Sequence, residues 1–558
     1  MLDVLIIGSG GAGLTAALAA KEMSTVEGVG QGDASILVVG KAYPTNSQTS
    51  MAQGGMNAAL GNVGEDHISS HISDTIKSAR GLCDEDMVRQ MCADAPKTIQ
   101  WLESIGVPFS RLDDRGLTSD DLQSESSVGL TPNIQTVAQR QMGGASAKRA
   151  CYAQDYTGLK ILHTLYDTCL KENIDFLDEH YLLNLITEKT STDTIIKGAT
   201  FLDIRTGEVK QINAKSVILA TGGYGSLYHG YTTNAYGSTG DGVAAVLRAG
   251  GAVSDMEFVQ FHPTALKGSS ILISESARGE GGYLVNSDGE RFVDELKPRD
   301  EVARAIFEQF QTDKEVFLDV RHLGEEKLME LLPQEVALCK LHEHVDPAKE
   351  LIPIKPVAHY SMGGIDVDYA LEVNGIKGCF AVGECSNAKV HGANRLGGNS
   401  LLEITAFGKF AGENAYKQAV YASKKEANDT QLQQDKKEIE ILYTKENSLN
   451  FYAQREALGK LFYEKVGIVR DNEHLTKAME EVISMQVMAK KMGLNDKSPT
   501  NNTNLIDYLE FQNALLLAPT IISAAIARDE SRGAHYKVGF ESQNDEKFKQ
   551  HIVLQWKD

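Results

Sequence analysis

The chain has 558 residues, 42% of them hydrophobic, which is enough for a large core and predicts several domains. Its formal charge of −21 would repel a phosphate backbone, so it argues against nucleic acid and admits an anionic small substrate only where basic side chains gather locally. Seven cysteines (Cys83, Cys92, Cys151, Cys169, Cys339, Cys379 and Cys385) are scattered without a C-x-x-C pair, so no disulfide framework, zinc site or iron–sulfur site is indicated and buried free thiols in a reducing compartment are expected.

The opening "MLDVLIIGSGG" reads as a strand at residues 4 to 7 and a glycine turn at 8 to 13, followed by a helix through "LTAALAAKEM". A strand so close to residue 1 is read as leaving no room for a secretory or twin-arginine leader. A second strand at "ASILVVG" (34 to 40) completes a βαβ unit. "GSGGAG" fits G-x-G-x-x-G: Gly8 makes the turn, Gly10 lets backbone approach a pyrophosphate, and Gly13 lets helix and strand pack closely. Glycine turns also occur without ligands, and it is the strand before and the helix after that point to a dinucleotide. The second strand ends in Gly40 and Lys41 where an acidic ribose ligand often sits, which counts against NAD and leaves FAD open.

"NSQTSMAQGG" (46 to 55) packs hydroxyls, an amide and a Gly-Gly pair, too polar for a core strand. Strand-to-glycine junctions recur at "SVILATGG" (216 to 223) and "GCFAVGE" (378 to 384), which suggests one discontinuous nucleotide domain interrupted by insertions. The stretch from 250 to 352 is polar and charge-dense and is read as an inserted cap, whose position suggests hinged closure. Within it lie His262 in "QFHPT", Glu275 three residues before Arg278 in "ISESARGEGG", and Arg299 at a helix start in "KPRDEVARAI". Taken singly these read as a structural histidine, a surface ion pair and an exposed arginine. His359 in "HYSMGG" and Arg395 in "HGANRLGGNSLLE" follow, and glycines around an arginine let backbone and guanidinium reach one ligand.

From 415 to 530 the texture is helical, with apolar residues at three-to-four spacing in "EALGKLFYEKVGIV" and "HLTKAMEEVISMQVMAKKM". The run 422 to 440 is expected to be a solvated helix face or loop, and "ALLLAPTIISAAIA" (514 to 527), shorter than the ~20 residues of a bilayer span, a buried helix. The predicted organisation is a nucleotide-binding domain over 1–249 and 353–414, a cap over 250–352, a helical domain over 415–530 and a C-terminal segment over 531–558. Two histidines, three arginines and a glutamate beside glycine turns suit a small dicarboxylate, because arginine forks carboxylates and each histidine adds a donor.

"GSGGAG", "AQGGMNAALGN", "ATGGYG", "STGDG", "QFHPT", "RGEGG", "HYSMGG", "GANRLGGNSLLE" and "ARDESRGAH" together resemble the flavoprotein subunit of succinate dehydrogenases and fumarate reductases, in a superfamily that includes L-aspartate oxidase. The resemblance covers nearly the whole chain. It implies an α/β fold: a Rossmann-like, discontinuous FAD-binding domain with an inserted α+β capping domain and a C-terminal helical domain. It implies that Gly8, Gly10, Gly13, Lys41, Gly54, Gly55, Asp241, Glu384, Ser400 and Leu401 line FAD, with Ser47, Gln48 and Thr49 as hydrogen-bonding neighbours. It implies that His262, Ser274, His359 and Arg395 hold the two carboxylates of fumarate or succinate, and that Arg299 protonates the substrate carbon with Glu275 and Arg278 relaying protons. The implied reaction is hydride transfer between flavin N5 and one alkene carbon while a proton reaches the other. Arginine is a poor acid in water, so this role needs a crowded cationic site.

Three positions depart from the family pattern. Ser274 stands where threonine is usual and keeps the hydroxyl. Gln48 stands where respiratory members carry the histidine that bonds covalently to flavin; it has no nucleophilic nitrogen, so FAD is expected to be held non-covalently. The covalent link raises flavin potential in this family, so its loss favours fumarate reduction over succinate oxidation. Met142 stands where respiratory members have phenylalanine and aspartate oxidases glutamate. Being apolar, it offers no counter-charge to an ammonium and disfavours aspartate. The resemblance further implies an iron–sulfur subunit as electron partner, then a membrane-associated quinone or thiol-linked module, and a cytoplasmic chain peripheral to the membrane through those partners. L-aspartate oxidase is the rival enzyme reading. A non-catalytic dicarboxylate sensor is a third, disfavoured because the set Glu275, Arg278 and Arg299 exceeds what binding needs.

Overall fold

Residues Leu2–Ile7 form the strand at the centre of a seven-stranded sheet, with Val4, Leu5, Ile6 and Ile7 buried. Such a run, apolar on both faces, belongs between two layers of helix. This computed structural model describes residues 1–27, 29, 32, 34–112, 134–422 and 426–556. Leu2–Ile7 pairs in parallel with Ile36–Val39 on one side and Val209–Leu219 on the other. Asp175–Leu177 and Cys379–Ala381 extend the parallel part, while Thr194–Asp203 and His180–Lys189 add an antiparallel edge. Helix Gly11–Ser24 starts straight after the first strand. A Cβ on Gly8 (φ 115°) would lie 2.1 Å from the Ala220 carbonyl oxygen, and one on Gly13 would lie 1.9 Å from that of Gly8. The expected tight turn and close helix packing are both present.

The three glycine junctions of the sequence follow neighbouring strands of this sheet, Leu2–Ile7, Val209–Leu219 and Cys379–Ala381, so their carboxyl ends open on one crevice. The inserted region carries its own antiparallel sheet, in the order Val259–Leu266, Ile352–Ser361, Val316–Asp319, Tyr283–Asn286. Its separate core includes Leu266, Leu284, Ile306, Leu318 and Ile354. This sheet crosses the boundaries expected from sequence. Ala252–Ser254 pairs instead with Gly364–Asp366 and with Val553–Gln555 of the C-terminal segment, whereas Ile352–Ser361, of which 353–361 were expected on the nucleotide side, is a central strand of the cap sheet. Composition shifts mark where a segment turns polar, not which sheet edge completes its hydrogen bonds. Helix Asn399–Tyr421 likewise runs through the expected boundary at 414/415, since nothing within it breaks the helix.

Helices Phe451–Lys465, Asn472–Ala489 and Thr503–Ala527 pack on one another. Of the run 422–440, residues 423–425 lie outside the described residues. Most of the rest is in helix Thr430–Thr444, where only Asp435 and Ile439 are buried. The apolar run 514–527 is the second half of Thr503–Ala527, which is long and apolar enough to cross a membrane by length and composition, though most of that stretch is buried inside the fold. Arg528, beyond its end, is buried and donates to Glu257 (2.5 Å) and Glu530 (3.2 Å), tying the C-terminal region to the start of the cap.

Candidate active site

A continuous cleft of about 1870 Å³, counting the space open at its mouth, runs from the glycine turn of the first βαβ unit to the face of the cap. It is lined by every site residue expected from sequence except Gly13, which lies in the helix–strand contact, and Arg278, which lies behind Glu275.

At the glycine end the N-termini of helices Gly11–Ser24 and Asn399–Tyr421, whose N-cap residues Gly10 and Gly398 have no side chain to cap them, line the cleft, a setting that favours an anionic group. Of the lining residues, Ser47 Oγ, Gln53 Oε1, Thr221 Oγ1 and Asn234 Oδ1 are buried without a hydrogen-bond partner. Buried polar atoms are rarely left so, and these suit a ligand rich in donors and acceptors. The donor set therefore fits FAD. Gln48 Oε1 accepts from the Ala235 amide at 2.8 Å, and Thr49 Oγ1 from the Gly11 amide at 3.1 Å. Lys41 Nζ donates to Asp241 (2.6 Å), Glu510 (2.8 Å) and Thr239 (2.9 Å). Burial alone would lower Lys41 and raise Asp241; their mutual attraction outweighs it, holding Lys41 above and Asp241 below their ordinary values. Glu510 comes from the helical domain and no local motif announces it. Glu384, which accepts from the amide and hydroxyl of Ser361, is pushed by burial up to about 7.

At the cap end the cationic groups converge. Ser274 caps helix Glu275–Gly279, its hydroxyl accepting from the Ser276 amide, so Glu275 starts the helix and Arg278 falls on the same face. Arg299, first residue of helix Arg299–Gln311, donates Nε (3.0 Å) and Nη2 (2.6 Å) to Glu275 Oε2, and Nη1 (2.9 Å) to Gln260 Oε1. Glu275 Oε1 accepts from the Gly143 amide (3.0 Å) and lies 3.6 Å from Arg278 Nη2. Only glycine permits this approach: a Cβ on Gly143 would be 2.3 Å from Oε1, and one on Gly397 2.5 Å from Oε2. Burial would raise Glu275, but Arg299 and Arg278 outweigh it and hold the carboxylate ionised. Arg278 is lowered by burial and by Arg299, despite Glu275.

His262 lies in strand Val259–Leu266, where the register shifts just after it, a bulge that can re-aim a side chain. Its Nδ1 is 3.1 Å from the Thr264 carbonyl oxygen and 3.3 Å from the Thr264 amide. His359 Nδ1 is 2.7 Å from Thr233 Oγ1, and the two rings are 4.9 Å apart. Burial, then Arg299, holds both imidazoles well below the ordinary histidine value, so both are neutral near pH 7. Arg395 lies over the Tyr360 ring at 4.2 Å, with Nε buried and unpartnered. Burial, then Arg299, lowers it to about 10. Met142 is buried in the wall against Gly54. Three guanidiniums and two neutral imidazoles around one carboxylate leave an excess of positive charge, suited to a dianion.

Gln260 was absent from the residues expected by sequence, although it holds Arg299 and donates to both the Arg395 carbonyl oxygen (2.9 Å) and Asn394 Oδ1 (2.9 Å). It stands two residues before His262, and the two-residue repeat of a strand would have placed it on the same face.

The family model described as "FAD binding domain" matches residues 3–401, and that described as "Fumarate reductase flavoprotein C-term" matches residues 455–558. The chain is 37% identical over 584 residues to the fumarate reductase flavoprotein subunit of a Serratia species, covering 99% of this chain and 92% of that protein. It is 36% identical to the succinate dehydrogenase flavoprotein subunit of Coxiella burnetii, covering 99% and 94%. Among solved structures it resembles a quinol fumarate reductase of Escherichia coli, with a TM-score of 0.88, 35% identity and coverage of 99% and 94%.

Proposed function

The chain belongs to the flavoprotein subunit family of succinate dehydrogenases and fumarate reductases, and from that premise we propose how its own residues serve the reaction and in which direction it runs. It is an FAD-dependent oxidoreductase that interconverts fumarate and succinate. Gly8, Gly10, Lys41, Ser47, Gln48, Thr49, Gly54, Gly55, Asp241, Glu384, Ser400 and Leu401 hold FAD, with Gly13 letting the first helix pack closely on the turn at Gly8. When bound, FAD supplies the two-electron transfer at one alkene carbon. His262, Ser274, His359 and Arg395 hold the two substrate carboxylates, and Met142 closes one wall. Fixing both ends of the substrate polarises its double bond and removes rotational freedom at the reacting carbons.

Arg299 holds and moves the proton for the second carbon. Its fork is fixed by Glu275 and Gln260, and Glu275 connects it to Arg278. The gathering of Arg299, Arg395, His262 and His359 around the ionised Glu275, in the cleft that also carries the glycine turn, is the observation that carries this assignment. Arg299→Ala should abolish fumarate turnover while the protein still binds fumarate. Loss of binding and turnover together would place Arg299 in the clamp instead.

Gln48 spends its carboxamide oxygen on the Ala235 amide and offers no ring nitrogen, so FAD is held without a covalent bond and fumarate reduction is the working direction. The buried, uncharged Met142 side chain selects a plain dicarboxylate over aspartate, whose ammonium would meet no counter-charge. An iron–sulfur subunit exchanges electrons with the flavin and links the chain to a membrane-associated quinone or thiol-linked module on the cytoplasmic face.

A further inference from the structure

Helix Pro333–His342 of the cap presents an acid that the reaction does not use. Glu335, buried in the first turn, accepts the Ser274 amide at 2.8 Å through Oε1. That amide begins the short helix carrying Glu275, so Glu335 buttresses the hydroxyl and the carboxylate that flank the substrate cleft. The start of Glu335's own helix is held from outside the cap: Asp155 Oδ2 accepts the Gln334 amide (2.8 Å) and the Glu335 amide (3.2 Å). Asp155, also buried, directly precedes the segment that leads into helix Thr157–Lys171, which packs on the nucleotide-binding layer. Glu335 Oε2 and Asp155 Oδ1 are both buried and accept no hydrogen bond.

We propose that Glu335 is a positioning residue that completes the dicarboxylate clamp by holding Ser274 only while its helix is docked on Asp155, so that substrate affinity depends on the seating of this helix start on Asp155 across the cap boundary. The inference rests on the reading that Ser274 contacts substrate. Burial, then Asp155, raises Glu335 from 4.5 to about 8 against the pull of the Ser274 amide, and burial raises Asp155 as well, against the pull of the two helix amides. The other titratable groups facing Glu335 are Arg140, which attracts the charged form, and the Cys339 thiol one helical turn away, pushed up by burial and by Glu335 itself. The docked cap therefore carries a proton on Glu335 at neutral pH, and undocking exposes Glu335 and releases it. Docking is fully favoured below 4.5, weakens as pH rises toward 8, and changes no further above it.

The test is KM and kcat for fumarate against pH, on the FAD-loaded protein with a reduced dye as donor. In the unmodified protein KM should rise between pH 6 and 8 by up to about tenfold per unit, the limit for one proton. Glu335→Gln keeps an acceptor for the Ser274 amide without the charge, so KM should stay within about twofold at pH 6 and lose its rise, whereas Glu335→Ala should raise KM about tenfold with kcat little changed. An unchanged pH profile in Glu335→Gln overturns the proposal even if Glu335→Ala fails to fold. The Ser274→Ala variant separates the two readings: unaltered KM there removes Ser274 from the clamp, whatever Glu335 does.

Discussion

Replacing Arg299 by lysine separates holding the substrate from protonating it. Arg299 donates three hydrogen bonds, two to Glu275 Oε2 (3.0 and 2.6 Å) and one to Gln260 Oε1 (2.9 Å). A lysine keeps the charge but has one nitrogen, which can satisfy one of these positions and not the fork. Two charge-assisted hydrogen bonds are lost, each worth about 1.5–3 kcal/mol, so the proton-bearing group loses about 3–6 kcal/mol of positioning. If that loss falls on the transition state, kcat drops by roughly 10²- to 10⁴-fold. Fumarate binding should change by no more than about threefold, because Arg395, His262 and His359 are untouched. The assay pairs steady-state fumarate reduction under argon with titration of fumarate into the oxidised protein, read from the flavin spectrum. An Arg299→Lys enzyme with kcat within about tenfold of the original would refute the reasoning, as would binding lost in step with kcat.

Other expectations are independent of that one. Met142→Glu adds a carboxylate to the cleft wall and should weaken fumarate binding by about tenfold or more through like-charge repulsion, and unchanged affinity would remove Met142 from the substrate wall. Acid precipitation of the FAD-loaded protein should leave all flavin in the supernatant, since Gln48 makes no covalent link; flavin retained in the pellet would contradict this. His71, whose Nε2 meets Asn399 Oδ1 at 3.0 Å, is lowered by burial from 6.5 to about 4. Its contribution to stability is complete above pH 6.5 and is lost as pH falls through 4, a change of about 3 kcal/mol. His71→Asn should therefore flatten the fall in thermal stability between pH 6.5 and 4.5, and an unaltered slope would assign that fall to other groups.

What could be read from sequence was whatever a short motif holds by itself. The turn at Gly8 was legible because strand, glycines and helix are contiguous, and the close contact of Gly13 with Gly8 follows from the same spacing. The spacing of Glu275 and Arg278 was legible as an ion pair, but their place beside Ser274 at the cleft came only with the family resemblance, because the five-residue helix that joins them has no signal of its own. What sequence spacing could not supply was the junction between distant segments. Glu510 reaches Lys41 from 469 residues away, and Glu335 reaches Ser274 from 61, each a single acid on an otherwise ordinary helix. The cap sheet crosses the expected boundary at 352/353 for a related reason, since the place of Ile352–Ser361 is set by the strands it pairs with rather than by its own residues. Gln260 is the intermediate case, on the same strand face as His262 and within reach of a two-residue repeat.

The most direct measurement is anaerobic. The flavin of the FAD-loaded protein is reduced, fumarate is added, and the oxidised flavin spectrum is followed alongside the appearance of succinate. The account predicts rapid return of the spectrum with one succinate formed per flavin, and no return with Arg299→Ala although fumarate still binds. Failure of the unmodified protein to reoxidise would contradict the assignment of His262, His359, Arg395 and Arg299 as a working fumarate site.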